Sequence, residues 1–252
     1  MEKQRVQSKK GDQLPWWAAV GITLLLAAVF FFLGSKKAGF HVDEMYTFGL
    51  SNHAYLRDHS TVPVLESGKH YNGQEIWNDY MTVAAGQRFD YRNVWMNQAH
   101  DVHPPLYYLL IHTLCSLFPD MSLVWIGLLV NVPLSCVALW QLVWLGRRLG
   151  ISRRGAWLLA LSYLLTTEFL SDGIAFFRMY TLFMVWIQLL AITLLDSLPE
   201  ASGSRKYYLL LGISLLGGVM TQYYFLLAGG LFCLTYGVFL ALHHNWKKLA
   251  GS

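Results

Sequence analysis

The segment Trp16–Gly34 (WWAAVGITLLLAAVFFFLG) runs for nineteen residues without a charged side chain or a proline. As a helix rising about 1.5 Å per residue it spans close to the roughly 30 Å of a bilayer's hydrocarbon core. Such a run belongs either in a large protein core or in a membrane, and the composition decides between them. The 252 residues are 55% apolar and only 13% charged, with a mean hydropathy of +0.37. A soluble domain carries roughly 25% charged residues, so this chain has too little charge to cover a water-exposed globule. Its 15% aromatic content excludes intrinsic disorder. A net charge of only +4, from scattered basic residues, gives no nucleic-acid footprint. Cys115, Cys136 and Cys233 sit in apolar runs at no metal-binding spacing, which argues for packing rather than disulfides or zinc. The expected fold class is an all-α integral membrane protein.

Charge sets the threading. Lys3, Arg5, Lys9 and Lys10 precede the first run and keep the N-terminus cytoplasmic. The run is longer than the apolar core of about 7–15 residues in a signal peptide, so it reads as an uncleaved anchor. Residues 1–15 are then a cytoplasmic tail, 16–34 the first span, 35–122 an extracytoplasmic loop with interfacial helices, and 123–252 five further spans. The stretch 35–103 holds eight of the fifteen acids and six of the nine histidines. Within it, residues 73–85 have mixed helical periodicity, so one or two surface helices are expected. Residues 104–118 are apolar but too short to span, and should lie along the outer face. The span 123–145 ends at Arg147, Arg148, Arg153 and Arg154, a loop that belongs inside. Spans at 156–170, 179–195, 207–221 and 223–242 follow, giving about six, and placing residues 196–206 and the basic cluster at 243–248 inside. Lys36 and Lys37 stand on the outer side, against the trend. A cell-membrane location follows, with the active face extracytoplasmic.

Three polar spots converge on that outer face. His41-Val42-Asp43-Glu44 follows the first span, and the adjacent carboxylates must point apart. One reading makes a base at a membrane-facing cavity; the other is an ordinary solvated turn. His100-Asp101-Val102-His103-Pro104-Pro105 marks the return to the membrane, where two prolines suit a helix start. Asp101 either caps that helix or is aimed with His103 into a site. Arg178, with Tyr180 and Asp172 nearby in sequence, either binds phosphate or pairs with Asp172. Ionisable groups at membrane depth are costly and are usually functional or paired. The loop histidines match no ligand motif, so no metal ligand is assigned. His100, Asp101 and His103 would hold a divalent cation only if the fold gathered them.

Taken together, these motifs resemble a known family. The Asp-Glu pair after the first span, the long outer loop, the string His103-Pro104-Pro105-Leu106-Tyr107-Tyr108-Leu109-Leu110 and the string Arg178-Met179-Tyr180-Thr181-Leu182 are similar to glycosyltransferase family 39. That family belongs to the GT-C superfamily of polytopic membrane glycosyltransferases and includes the protein O-mannosyltransferases. The resemblance covers Asp43 to about Tyr224. Relatives often carry Gln-Glu-Ala before Arg-Met-Tyr, where this chain has Ala175-Phe176-Phe177, and a histidine where it has Gln222. Full-length relatives continue through more spans, so the resemblance leaves residues 1–252 as an N-terminal module, a fragment or a degenerate member.

The resemblance implies inverting transfer of a sugar from a polyprenyl-phosphate donor to an acceptor hydroxyl on a protein or glycan. Its aspartate base falls on Asp43, beside Glu44. Asp101 and His103 would orient base or acceptor, and Arg178 with Tyr180 would bind the donor phosphate. A divalent cation is the one cofactor left open. Nucleic acid is no partner. The rival readings are a non-catalytic or truncated module that binds lipid or a partner subunit, and a transporter. Against the transporter, the spans hold few charges and show no inverted repeat.

Overall fold

The computed structural model describes residues 14–197 and 204–242. The N-terminal basic cluster, the middle of the 196–206 loop and the 243–248 cluster lie outside the described residues. In chain order the helices are α1 (Trp16–Gly34), α2 (Val42–Asn52), α3 (Tyr55–Asp58), α4 (Gly73–Met81), α5 (Tyr91–Ala99), α6 (Leu106–Leu117), α7 (Leu123–Arg148), α8 (Arg153–Leu164), α9 (Tyr180–Ser197), α10 (Arg205–Val219) and α11 (Tyr224–Leu242). A short 3₁₀ turn, Ala85–Gln87, precedes α5, and a π-helical segment, Phe169–Ala175, lies between α8 and α9. Among the described residues there is no β-strand.

Four helices, α1, α7, α9 and α11, are long and apolar enough to cross a membrane. This is the architecture of a helical membrane protein. The bundle is organised on α7, which packs against α1, α6, α8 and α9, while α9 in turn carries α10 and α11.

The expected straight span at 156–170 is not one helix. α8 stops at Leu164, and the chain turns by 78° into the π-helical segment, so the two make at most one bent fifth span. Thr166 explains the break: its hydroxyl donates to the Tyr163 carbonyl at 2.8 Å and accepts from the Phe169 N–H at 3.2 Å. A side chain that takes over backbone hydrogen bonds in this way competes with a continuous helix. α10, at 15 residues, reaches only about 22 Å and falls short of the hydrocarbon thickness.

The stretch 35–122 folds into a lobe of five helices, α2 to α6; four of them, α2 to α5, lie in 35–103, where one or two surface helices were expected. Its centre is α2, which packs on α4, α5 and α6. α2 is not a surface helix: residues from Thr47 to Asn52 are buried. Its start is a capping box, with the His41 ring accepting from the Asp43 N–H at 3.2 Å and the Glu44 carboxylate accepting from the His41 N–H at 2.7 Å. Gly49 lets Tyr80 of α4 close on the helix, since a Cβ there would sit 1.8 Å from the Tyr80 ring. Polar side chains then lock the lobe. Asn52 Nδ2 donates to the Met81 carbonyl at 2.6 Å, and Asn97 Nδ2 donates to the carbonyls of Leu50 (3.1 Å) and His53 (2.9 Å).

α6 is too short to span, as its length suggested, but it is not an open surface helix. Tyr107, Tyr108, Ile111 and His112 are buried, because α6 is wedged between α2 and α7. Asp101 does not cap it: the cap position is Pro105 and no side chain bonds there. The Leu106 N–H donates instead to the Met220 carbonyl at 2.9 Å, tying the outer lobe to the end of α10.

Candidate functional site

The two adjacent acids at the start of α2 have opposite fates, because consecutive helical residues point about 100° apart. Glu44 is fully buried. Its Oε2 accepts from Lys37 Nζ at 2.9 Å and from the His41 N–H, and its Oε1 accepts from the Phe177 N–H at 2.9 Å. Every lone pair it uses is committed to structure. Lys37, which stood on the wrong side of the charge rule, is the counter-ion of this buried carboxylate, and its ammonium also lies 5.3 Å from the Phe177 ring centre. Asp43 turns outward, with its side chain 46% exposed. Among the described residues its carboxylate has no hydrogen bond. His41 Nδ1 stands 3.9 Å from Asp43 Oδ2, beyond hydrogen-bond distance, and that nitrogen accepts from the Asp43 N–H.

Arg178 lies in the connection between the π-helical segment and α9, one residue after the Phe177 amide that holds Glu44. Its guanidinium is buried at 6% exposure. Nη1 donates to the Asp43 carbonyl at 3.0 Å and to Thr47 Oγ1 at 3.4 Å. Nη2 donates to His103 Nε2 at 3.2 Å. Since guanidinium only donates, His103 accepts at Nε2 and carries its proton on Nδ1, which it gives to Asp101 Oδ2 at 3.0 Å. The imidazole therefore bridges the Arg178 cation to the Asp101 carboxylate. Burial would raise the Asp101 carboxyl, but hydrogen bonds from the His103 ring and from the Val102 and His103 amides outweigh it and hold the group below its ordinary range.

The charge balance is then explicit. Lys37 answers Glu44, and Arg178 answers Asp101 through His103. Asp43 is left as the one carboxylate of the group without a cation of its own. One donor remains unused nearby: Arg178 Nε is buried with no hydrogen-bond partner. Burial pushes the Tyr108 phenol up, so it is a neutral donor at any physiological pH.

Five of the six residues singled out from the sequence thus meet: Asp43, Glu44, Asp101, His103 and Arg178. Tyr180 does not join them. It is exposed, stacks on Phe176 with ring centres 6.1 Å apart, and lines a cavity of about 380 Å³ with Glu168 and Asp172. Asp172 accepts from Ser171 and does not pair with Arg178. His100 is also elsewhere, stacked on Tyr55 at 4.6 Å. Among the described residues no three His, Cys, Asp or Glu side chains are gathered to hold a metal ion.

Sequence reasoning passed over Asn131, an amide in the apolar run of α7. It accepts from the Tyr107 hydroxyl at 2.8 Å and donates to the carbonyls of Ile174 (3.4 Å) and Phe176 (3.3 Å), fixing the segment that carries Arg178. An amide inside a membrane-grade helix was the available signal. The large apolar cleft between α9 and α11 is not part of this site, for Leu194 lies about 21 Å along α9 from Tyr180.

Comparison of the chain with protein-family models, curated proteins and solved structures returned no match.

Proposed function

We propose that this chain is the catalytic module of a membrane glycosyltransferase of the family 39 kind, acting on a polyprenyl-phosphate sugar at the extracytoplasmic face. The supporting observation is Asp43: a half-exposed carboxylate without a cation, on a helix whose first turn is held in place by Arg178 and Glu44. In the reaction the acceptor hydroxyl oxygen attacks the anomeric carbon from the face opposite the phosphate. Asp43 takes the hydroxyl proton as the new C–O bond forms. The anomeric C–O bond to phosphate breaks, and polyprenyl phosphate leaves without needing an acid. Attack and departure on opposite faces invert the anomeric centre.

Glu44 is a positioning residue in this reading, and Asp101 with His103 holds Arg178. Arg178 supplies positive charge where the leaving phosphate gains negative charge, with Nε as its uncommitted donor. The cavity beside Tyr180 suits the donor. Tyr163 and Tyr180 offer hydroxyls to a sugar, and Phe183, Met184 and Ile187 offer an apolar wall to the first isoprene units. The topology that serves it has six spans with the N-terminus cytoplasmic, counting α8 with its π-helical continuation as one bent span and α10 as a short one, in the cell membrane.

The burial of Arg178 favours a second reading, in which the module binds lipid or a partner subunit without catalysis, because its guanidinium is largely committed to α2. Both are tested in nanodiscs with radiolabelled polyprenyl-phosphate hexoses and a mixture of hydroxyl acceptors. Transfer by the native chain that Asp43→Asn abolishes supports catalysis. Donor binding without transfer, unchanged in Asp43→Asn, supports the second reading.

A further inference from the structure

The outer lobe has a second concave feature, separate from Asp43. A groove of about 440 Å³ is lined by His53, Arg57, Asp58, Tyr71, Glu75 and Asp79. An apolar hollow of about 230 Å³ adjoins it, sharing Pro63, Leu65 and Ile76 as a common wall and closed by Trp77.

The groove carries unbalanced charge. Arg57 is spent on Asp58, which it grips with two hydrogen bonds of 2.8 and 3.0 Å. Glu75 and Asp79 lie four residues apart on α4, so their carboxylates face the same way. Glu75 accepts only a 3.3 Å hydrogen bond from Asn72, and Asp79 has no hydrogen bond or ion pair among the described residues. Like charges so placed repel unless a cation joins them.

An independent observation comes from the floor. His53 is 95% buried and lines the groove, yet its Nε2 has no hydrogen-bond partner. It stands 3.4 Å from Asp58 Oδ2 without hydrogen-bonding geometry. Nε2 thus faces the Asp58 carboxylate with no hydrogen bond. A buried polar atom without a partner is uncommon and marks a place for a missing partner. A primary ammonium, with three donors on a compact head, can meet Nε2 and the carboxylates together.

We propose that this groove binds a lysine-bearing segment of an extended polypeptide, with the ammonium at His53, Asp58 and Asp79 and an adjacent apolar side chain in the Trp77 hollow. Two hollows with a shared wall suit side chains two positions apart on an extended chain, which lie on one face roughly 7 Å apart. The groove is also within reach of Asp43. From Asp43 to His53 is the length of α2, about 15 Å, and four or five extended residues cover that distance. The lysine would therefore register a serine or threonine hydroxyl of an acceptor polypeptide at Asp43. That last step rests on the transferase reading, whereas the binding itself does not.

The test uses the full chain in phosphatidylcholine nanodiscs and a fluorescent, end-blocked octapeptide with Leu two positions and Ser five positions from a single Lys. No sugar donor is present. Fluorescence anisotropy should give binding at least tenfold tighter than for the Lys→Gln peptide, weakening as NaCl rises. Glu75→Gln with Asp79→Asn should cost at least tenfold without changing the thermal midpoint. Because binding is read with no sugar donor present, a failure of the transferase reading would leave this result standing. Equal affinity for the Lys and Gln peptides, or indifference to the α4 double variant, overturns the proposal. So does n-butylamine binding as tightly as the peptide, which would make the groove a small-amine site.

Discussion

The Asp43 carbonyl accepts a hydrogen bond from Arg178 Nη1 at 3.0 Å, joining residues 135 positions apart. The next residue on each side is joined as well, for the Phe177 N–H donates to Glu44 Oε1. Two neighbouring acids are thus held by two neighbouring residues of one connection, one through its backbone and one through its side chain. The Asp43 carboxylate is the atom pair this clamp leaves free.

That division predicts separable defects. Asp43→Asn removes a solvent-facing charge and should leave the thermal midpoint within about 1–2 °C, while transfer falls by roughly 10²–10⁴-fold. Glu44→Ala strands Lys37 and the Phe177 amide in a buried site and should cost about 3–5 kcal/mol. Thermal unfolding in nanodiscs beside a transfer assay distinguishes them. Equal destabilisation by both variants would sink the division of roles.

Arg178→Lys should fold yet work poorly. A lysine ammonium cannot reach the Asp43 carbonyl and His103 Nε2 together with the geometry of a planar fork. Loss of that clamp lets the first turn of α2 drift, and a displacement of about 1 Å costs on the order of 10²-fold in rate. A hydrogen-exchange comparison of the α2 amides should show faster exchange in Arg178→Lys. Unchanged exchange with normal transfer would remove Arg178 from the mechanism.

Stability should decline in mild acid. Burial holds both His53 and His112 below their ordinary value of 6.5, with Asp58 only partly opposing this at His53. Below about pH 6.5 the unfolded chain binds protons that the folded chain refuses, so stability is complete above that pH and is lost as pH falls. Asp101 acts in the same direction further down, because its folded carboxyl is held below its ordinary 3.8. Thermal midpoints measured from pH 8 to pH 5 should fall only below about 6.5, and His112→Gln should flatten part of the slope. A midpoint that rises on acidification would contradict the assignment.

Gly49→Ala should be among the costlier single-methyl changes in the outer lobe. The added Cβ would lie 1.8 Å from Tyr80 Cε1, and Tyr80 is pinned by its hydroxyl bond to the Thr61 carbonyl at 3.0 Å. Overpacking of this kind costs about 1–3 kcal/mol. Adding Tyr80→Leu to Gly49→Ala should recover part of the loss, measured by chemical denaturation in detergent. A double variant less stable than the sum of the two single changes would refute the steric account.

Cysteine accessibility checks the topology. In a chain freed of Cys115, Cys136 and Cys233, a cysteine at exposed Val102 should react with an impermeant maleimide on intact cells, and one at Arg154 only after permeabilisation. Labelling of both from outside would reverse the orientation argument.

Composition and apolar run length alone determined the helical class and the positions of α1, α7, α9 and α11, because a bilayer imposes its thickness directly on the chain. The shortness of α6 was legible for the same reason. Local signals also marked Asp43, Glu44, Asp101, His103 and Arg178, since charges next to apolar runs stand out. What local signals could not decide was which charge answers which. Lys37 looked misplaced until Glu44 was found beside it, and Asp172, close to Arg178 in sequence, proved to have no part in holding it. Asn131, passed over in an apolar run, anchors the Arg178 connection. The burial of α2 also came only from tertiary structure, because it depends on the Tyr80–Gly49 contact, whereas the break after Leu164 rests on local Thr166 hydrogen bonds that hydropathy does not register. Hydropathy reports how much a residue favours leaving water, whereas hydrogen-bond partners and close packing depend on which distant segment arrives beside it.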